Sequence, residues 1–411
     1  MMGSAFRWLA VWLLLFSGCA LAADAPAQQT IRVGLYYGDT APRSVQVSGR
    51  LHYQAENGSG DLEQPTTLAA DGETLLLDAA RVGRWIAFSP APGAPPLQLN
   101  GAAYRGDLRL DLLDSGKLRV VNTVELEDYL RGVVPNEMFA DDEAYRVQAI
   151  IARTYGLYVR DQEKKHHPDG FDICTTGHCQ VYRGFDSETP RSDEAVAATK
   201  GLVITRGGAV IFSAYHTNAG GETVEVDEAW PGSLRKAFCY LPRVASPYDV
   251  EARRLPGFEW CYEWRRTVNP EALVARLGAK AADLGALQKL VVVRRNRAGR
   301  VATLRIVGAR GRLDIVGPPT IRAAFDAPSA RFEVLHSPDG FVLHGWGYGD
   351  GVGLSQHGAL GMARAGYGYE SILAHYYRGV ELSEAYGAGK SRPLRTGGRT
   401  KRATAPERGP S

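Results

Sequence analysis

Between residues 31 and 122 apolar and polar positions alternate with a period of two. Ile31-Arg-Val-Gly-Leu-Tyr-Tyr, Val45-Gln-Val, Leu51-His-Tyr, Leu108-Arg-Leu-Asp-Leu-Leu and Leu118-Arg-Val-Val-Asn follow it, parted by Gly- and Pro-rich turns. Such spacing sends alternate side chains to opposite faces of a strand, so sheets are expected here. The period changes at Ala144. Apolar residues at Ala144, Val147, Ile151, Tyr155 and Tyr158 line one face of a helix ending near Val159. Asp141 and Asp142 stand before it, where carboxylates satisfy free N–H groups and complement the helix dipole. Strands return at Leu202-Val-Ile-Thr and Ala209-Val-Ile-Phe, joined at Arg206-Gly207-Gly208, and at Leu290-Val-Val-Val and Val301-Ala-Thr-Leu-Arg-Ile-Val. A short helix is expected from Glu370 to Tyr377. The fold class is therefore α+β, strand-rich, with one long helix and a few short ones.

The 411 residues are 45% hydrophobic and 23% charged, an ordinary globular composition. The net charge of +3 is unevenly placed, because Lys390 to Ser411 holds seven basic residues and one Glu, or +6. The body is near neutral, which argues against a nucleic-acid binder. The tail, 386–411, has nothing to bury and is expected to be disordered. At the other end, Arg7, an apolar run from Trp8 to Phe16 and Ala20-Leu-Ala read as a secretory signal over residues 1–23. The alternative is a lipidated Cys19, which would tether the protein at its N-terminus. Either way a periplasmic or extracellular place, associated with the cell envelope, is expected, with no membrane contact except through such an anchor.

Chemistry concentrates in two places. In Val133-Val-Pro-Asn-Glu137-Met138, a carboxyl held among apolar residues after a rigid proline is partly desolvated, which raises its pKa and suits a general acid. The bland alternative is that Glu137 only assists the helix that follows. Next, His166, His167, Cys174, His178 and Cys179 gather five candidate ligands within fourteen residues. His167, Cys174, His178 and Cys179 suit a tetrahedral structural zinc. A Cys174–Cys179 disulfide is the alternative outside the cytoplasm. Cys239 and Cys261, flanked by aromatics, are expected to pair with each other, with buried free thiols as the alternative. Arg153 shares a seven-residue stripe with Arg146 and Arg160, the pattern of a solvated helix face.

Several of these segments, taken in order, resemble the stage II sporulation protein D family, which includes amidase enhancers. The resemblance lies in Val133-Val-Pro-Asn-Glu-Met, Gln148-Ala-Ile-Ile-Ala-Arg-Thr-Tyr, Ala214-Tyr-His-Thr-Asn-Ala-Gly-Gly-Glu-Thr with Ala229-Trp-Pro-Gly, Gly345-Trp-Gly-Tyr-Gly-Asp-Gly-Val-Gly-Leu-Ser-Gln-His-Gly-Ala, and Ile372-Leu-Ala-His-Tyr-Tyr-Arg-Gly. It spans 123–385, after a strand-rich region over 30–122. Two departures stand out: Asp350 where the family has His, and His357 where it has an aromatic residue. Asn218 and Ala219 also replace Thr and Ser.

The resemblance implies a peptidoglycan lytic transglycosylase that cleaves MurNAc–GlcNAc bonds and leaves 1,6-anhydro-MurNAc ends. Glu137 is then the single acid and base, and Arg153 joins the active site. Arg153 and Tyr215 hold the neighbouring sugar; His216 and Thr217 lie in the binding segment. Gly220 and Gly221 let the glycan approach the backbone, and Ser355 and Gln356 meet its hydroxyls. The partners implied are glycan strands and a cell-wall amidase. Two rivals are a non-catalytic enhancer that holds peptidoglycan for an amidase, and a wall-associated structural protein whose basic tail grips anionic polymers.

Overall fold

Strand Leu118–Glu125 serves two cores at once. It lies third in a seven-stranded sheet ordered Ile173–Cys174, Thr30–Tyr36, Leu118–Glu125, Asp107–Leu112, Trp85–Pro90, Leu51–Ala55, Gly58–Leu62. Leu118 and Val120 join Leu51, Phe88 and Leu110 of this sheet and Val45, Val47, Leu68 and Leu97 of a six-stranded sheet in one apolar layer. Val121 and Val124, with Ile31 and Val33, instead pack into the central core around the long helix. The alternation read in the sequence is thus that of a two-layered β unit with one shared wall. The computed structural model describes residues 29–397 apart from 140, 231, 233–235, 282, 338–339 and 387–390. The expected leader over 1–23, Cys19 included, and residues 398–411 of the tail lie outside the described residues. Among the described residues no helix is long and apolar enough to cross a membrane.

The long helix is Asp142–Tyr158, and the Asp141 side chain caps it by accepting from the Ala144 N–H. Its burial extends beyond the stripe of apolar residues at Ala144, Val147, Ile151 and Tyr155. Val147, Ile150, Ile151, Ala152, Arg153 and Thr154 are all fully enclosed, because the helix Pro190–Ala198, the strand Leu202–Arg206 and the helices Gln356–Arg364 and Tyr369–Tyr376 surround it. A one-sided stripe describes a surface helix; this one is central.

The third unit lies between the two motif-bearing ends of the site. Glu263–Val268, Gly340–Trp346 and Phe332–Ser337 form one sheet, and Leu287–Arg295, Val301–Gly308 and Arg312–Val316 another. Trp264, Leu290, Leu304, Phe332 and Leu343 fill the space between them with helices Pro270–Leu277 and Pro318–Phe325. Tyr215–His216 then pairs in parallel with Leu354–Ser355, and Asn218 bridges Tyr348, so segments distant in sequence meet.

Two expectations fail here. Residues 391–397 are ordered: Arg392–Pro393 pairs with Glu381 and Leu382, because an edge strand offers unpaired backbone groups. Cys239 and Cys261 are free thiols; Cys239 faces solvent while Cys261 is enclosed, so they do not pair.

Candidate active site

A cavity of about 630 Å³ opens where the Val134–Glu137 turn, the loop after Cys179, the Tyr215–Thr217 segment and the Tyr348–Asp350 segment converge. Pro135 in the first turn and the Asn136 amide, which donates to the Gly132 carbonyl at 2.8 Å, fix the turn that presents Glu137. The Glu137 carboxyl is half-buried. Val181 N–H donates to its Oε1 at 2.6 Å, and Gln356 Nε2 donates to its Oε2 at 3.3 Å and to its backbone carbonyl at 2.6 Å. Burial nevertheless dominates and raises the pKa; the hydrogen bonds from Val181, Gln356 and Tyr215 pull the other way. The local sequence predicted that direction, and the cause is the expected one.

Behind the carboxyl runs a polar chain. Tyr129 Oη donates to Gln180 Oε1 at 3.1 Å, and Gln180 Nε2 donates to Tyr215 Oη at 3.3 Å. Tyr215, His216, Thr217 and Gln356 all line the cavity with Glu137. His216 donates from Nδ1 to the Val352 carbonyl at 3.0 Å, and burial lowers its pKa to about 4, so the ring is neutral. The same cavity is lined by a second carboxylate, Asp350, which accepts from Trp230 Nε1 at 2.8 Å and from Val352 N–H at 3.0 Å. Gly349 beside it has φ +117, and a Cβ there would lie 2.7 Å from the His216 Cβ, so only glycine keeps this wall open.

Four other residues named from the sequence do not reach the cavity. Arg153 has no exposed side-chain surface. Its Nε and Nη2 grip Glu127 at 2.8 and 2.7 Å, and its Nη1 donates to the Leu202 carbonyl at 3.1 Å. A guanidinium so enclosed does not touch a sugar; it ties the long helix to its neighbours. Ser355 is equally buried, donating to Asp249 at 2.5 Å. Gly221 N–H also donates to Asp249, at 2.7 Å, and burial pushes that carboxyl up to about 6. Gly220 has φ +72, and a Cβ would sit 2.9 Å from the Trp346 backbone; it serves chain packing, not access for a glycan. Gln180, Val181 and Asp249 lie outside every segment named in the sequence, and Trp230 enters there only within Ala229-Trp-Pro-Gly; the fold sets Gln180 against Tyr215, Val181 against Glu137 and Trp230 against Asp350.

The ligand cluster borders the same cavity. It consists of His166, Cys174, His178 and Cys179, whose ligand atoms lie within 4.8 Å of one another. His167 is replaced by His166: the turn at Pro168 sends the His167 ring to Asp172, 3.2 Å away, while His166 stacks on Phe171. The donor set fits a tetrahedral ion. His178 Nδ1 stands 3.7 Å from Cys174 Sγ and 3.9 Å from Cys179 Sγ, close to the ligand–ligand edges of such a site. His166 Nδ1 faces Asp169 at 2.9 Å, and its buried Nε2 has no hydrogen-bond partner. A carboxylate on the far nitrogen is how metal-binding histidines are oriented.

Residues 114–206, which carry Glu137 and this cluster, match the family described as Stage II sporulation protein. Residues 248–353, which supply Tyr348 and Asp350, match a domain of unknown function (DUF8618). Over 281 residues the chain is 28% identical to the Stage II sporulation protein D of Bacillus subtilis, covering 64% of this chain and 76% of that one. An uncharacterized protein of Brachyspira hyodysenteriae is 27% identical over 358 residues, 83% of this chain and 90% of its own. The amidase enhancer of Bacillus subtilis is 27% identical over 296 residues, which are 62% of this chain and 40% of that protein.

Proposed function

We propose, from the premise that this chain belongs to the stage II sporulation protein D family, that it is an exported enzyme cleaving the MurNAc–GlcNAc linkage of peptidoglycan strands without water. The observation that carries the proposal is a carboxyl with a raised pKa, gripped from one side and open to a cavity on the other. In its acid form Glu137 gives its proton to the glycosidic oxygen as the bond from MurNAc C1 breaks. The resulting carboxylate takes the proton of the C6 hydroxyl while O6 bonds to C1. One carboxyl thus serves both steps and is returned to its acid form. The products are a 1,6-anhydro-MurNAc end and a free GlcNAc 4-hydroxyl. Ordinary glycoside hydrolysis needs a second carboxyl for water or for a covalent intermediate; here the sugar supplies its own nucleophile.

Val181 N–H and Gln356 orient the carboxyl, Tyr215 hydrogen-bonds to it, and His216 and Thr217 offer polar contacts to the sugar. His166, Cys174, His178 and Cys179 would hold a structural zinc ion, which when bound closes a four-ligand tetrahedron and leaves no open position for chemistry. Similarity to an amidase enhancer supports a second reading, a module that holds glycan for an amidase. Glu137→Gln separates the two. It should lower strand cleavage by at least about 100-fold, the scale of general acid–base catalysis, whereas an enhancer would keep its full effect on an amidase.

A further inference from the structure

We infer that the cleft continues onto an aromatic ledge, formed by Tyr348 and Trp260, which holds glycan sugars beyond the cleaved linkage; the inference rests on the glycan-strand reading above. Tyr348 belongs to both, lining the cavity while 38% of its surface stays exposed. Trp260 is 44% exposed and stands edge-on to Tyr348, ring centroids 5.1 Å apart at 79°.

Neither ring is loose. Trp260 Nε1 donates to the Gly257 carbonyl at 3.0 Å, so its polar edge is satisfied within its own loop while much of the residue stays exposed. The Tyr348 backbone exchanges both hydrogen bonds with Asn218, at 2.8 and 3.0 Å, which fixes where its side chain leaves the chain. Phe258, 41% exposed, packs edge-on against Phe139 at 4.7 Å, and Phe139 follows Glu137 by two residues. Aromatic side chains therefore join the loop after the Glu137 turn, through Phe139 and Phe258, to the cavity-lining Tyr348, through Trp260.

Rigid exposed aromatic rings beside a cleft mark a binding surface rather than a packing remainder. The choice of occupant follows from continuity with the cleft and from shape. A pyranose ring carries C–H groups on its faces, which pack on aromatic rings, and hydroxyls on its rim, which stay in water. Two rings set almost at right angles can meet both the face and the edge of such a sugar. A strand threaded through the cavity past Tyr348 meets Trp260 next.

The test uses full-length Glu137→Gln protein, which should bind strands without cutting them, titrated with purified peptide-free glycan strands by calorimetry. Trp260→Ala and Tyr348→Ala in that background should each weaken binding about tenfold, equivalent to about 1.4 kcal/mol. Trp260→Phe should recover most of the loss. If Trp260→Ala does not fold, Trp260→Leu keeps the bulk without the ring face and should show the same weakening. Strand binding by the parent together with unchanged affinity in the ledge variants would overturn the ledge and leave the enzyme reading standing. No strand binding by the parent would overturn both.

Discussion

Val181 donates its backbone N–H to Glu137 Oε1 at 2.6 Å, and it stands two residues past Cys179 of the ligand cluster. The Glu137 carboxyl is thus held by a loop that begins at the candidate ligand cluster. Purified protein should carry about one equivalent of zinc, because four protein ligands close a tetrahedral site. Cys174→Ser should lose metal and thermal stability together, since binding energy is folding energy. Turnover should fall more than strand affinity, because Val181 orients the carboxyl rather than the sugar. A native protein with a Cys174–Cys179 disulfide and no metal would contradict this.

Arg153 should matter for folding. Removing one partner of a buried ion pair costs about 3–5 kcal/mol, and among the described residues Glu127 would keep Gly201 N–H and Tyr386 Oη, at 3.3 and 2.9 Å. Denaturant melts of Arg153→Ala should show a loss of that order, while the folded fraction at low temperature keeps its turnover. Wild-type stability with collapsed turnover would return Arg153 to the sugar.

The raised pKa of Glu137 gives a signed pH dependence. General acid function needs the protonated form, so kcat/KM should fall as pH rises through a value above that of an ordinary glutamate. Stability has the same sign: a carboxyl whose folded pKa is raised favours the fold at low pH and loses that contribution as pH rises through the folded value. Glu137→Gln should therefore gain stability relative to wild type as pH climbs. A pH profile that rises through that range would contradict the assignment.

Asp350 shares the cleft but serves as an acceptor for Trp230 and Val352. Asp350→Asn should weaken cleavage less than Glu137→Gln and leave the product ends unchanged. Equal collapse in both variants would indicate a two-carboxyl mechanism.

What the sequence disclosed follows from how local each cause is. The Glu137 segment was legible through its resemblance to the family; its local pattern alone fits a helper of the following helix equally well, and the contacts from Val181 and Gln356 come from distant segments. The Asp142–Tyr158 helix was legible from its period and its Asp141 cap. Arg153 was not: a seven-residue stripe looks the same whether water or other elements cover it, and only the tertiary packing decides. His166 and His167 are adjacent, and spacing cannot say which ring turns inward at Pro168. Ser355 and Gly221 sit in a recognisable motif, yet their partner Asp249 comes from a stretch with no signature. The basic tail read as featureless, but its first residues found an open sheet edge.

The most direct test of the central claim is mass spectrometry of the ends that the wild-type protein leaves on peptide-free glycan strands, with Glu137→Gln as the control. The account predicts 1,6-anhydro-MurNAc ends, lighter by one water than hydrolytic ends, and none above background in the control. Reducing MurNAc ends from the wild type, or anhydro ends formed at full rate by the control, would contradict it.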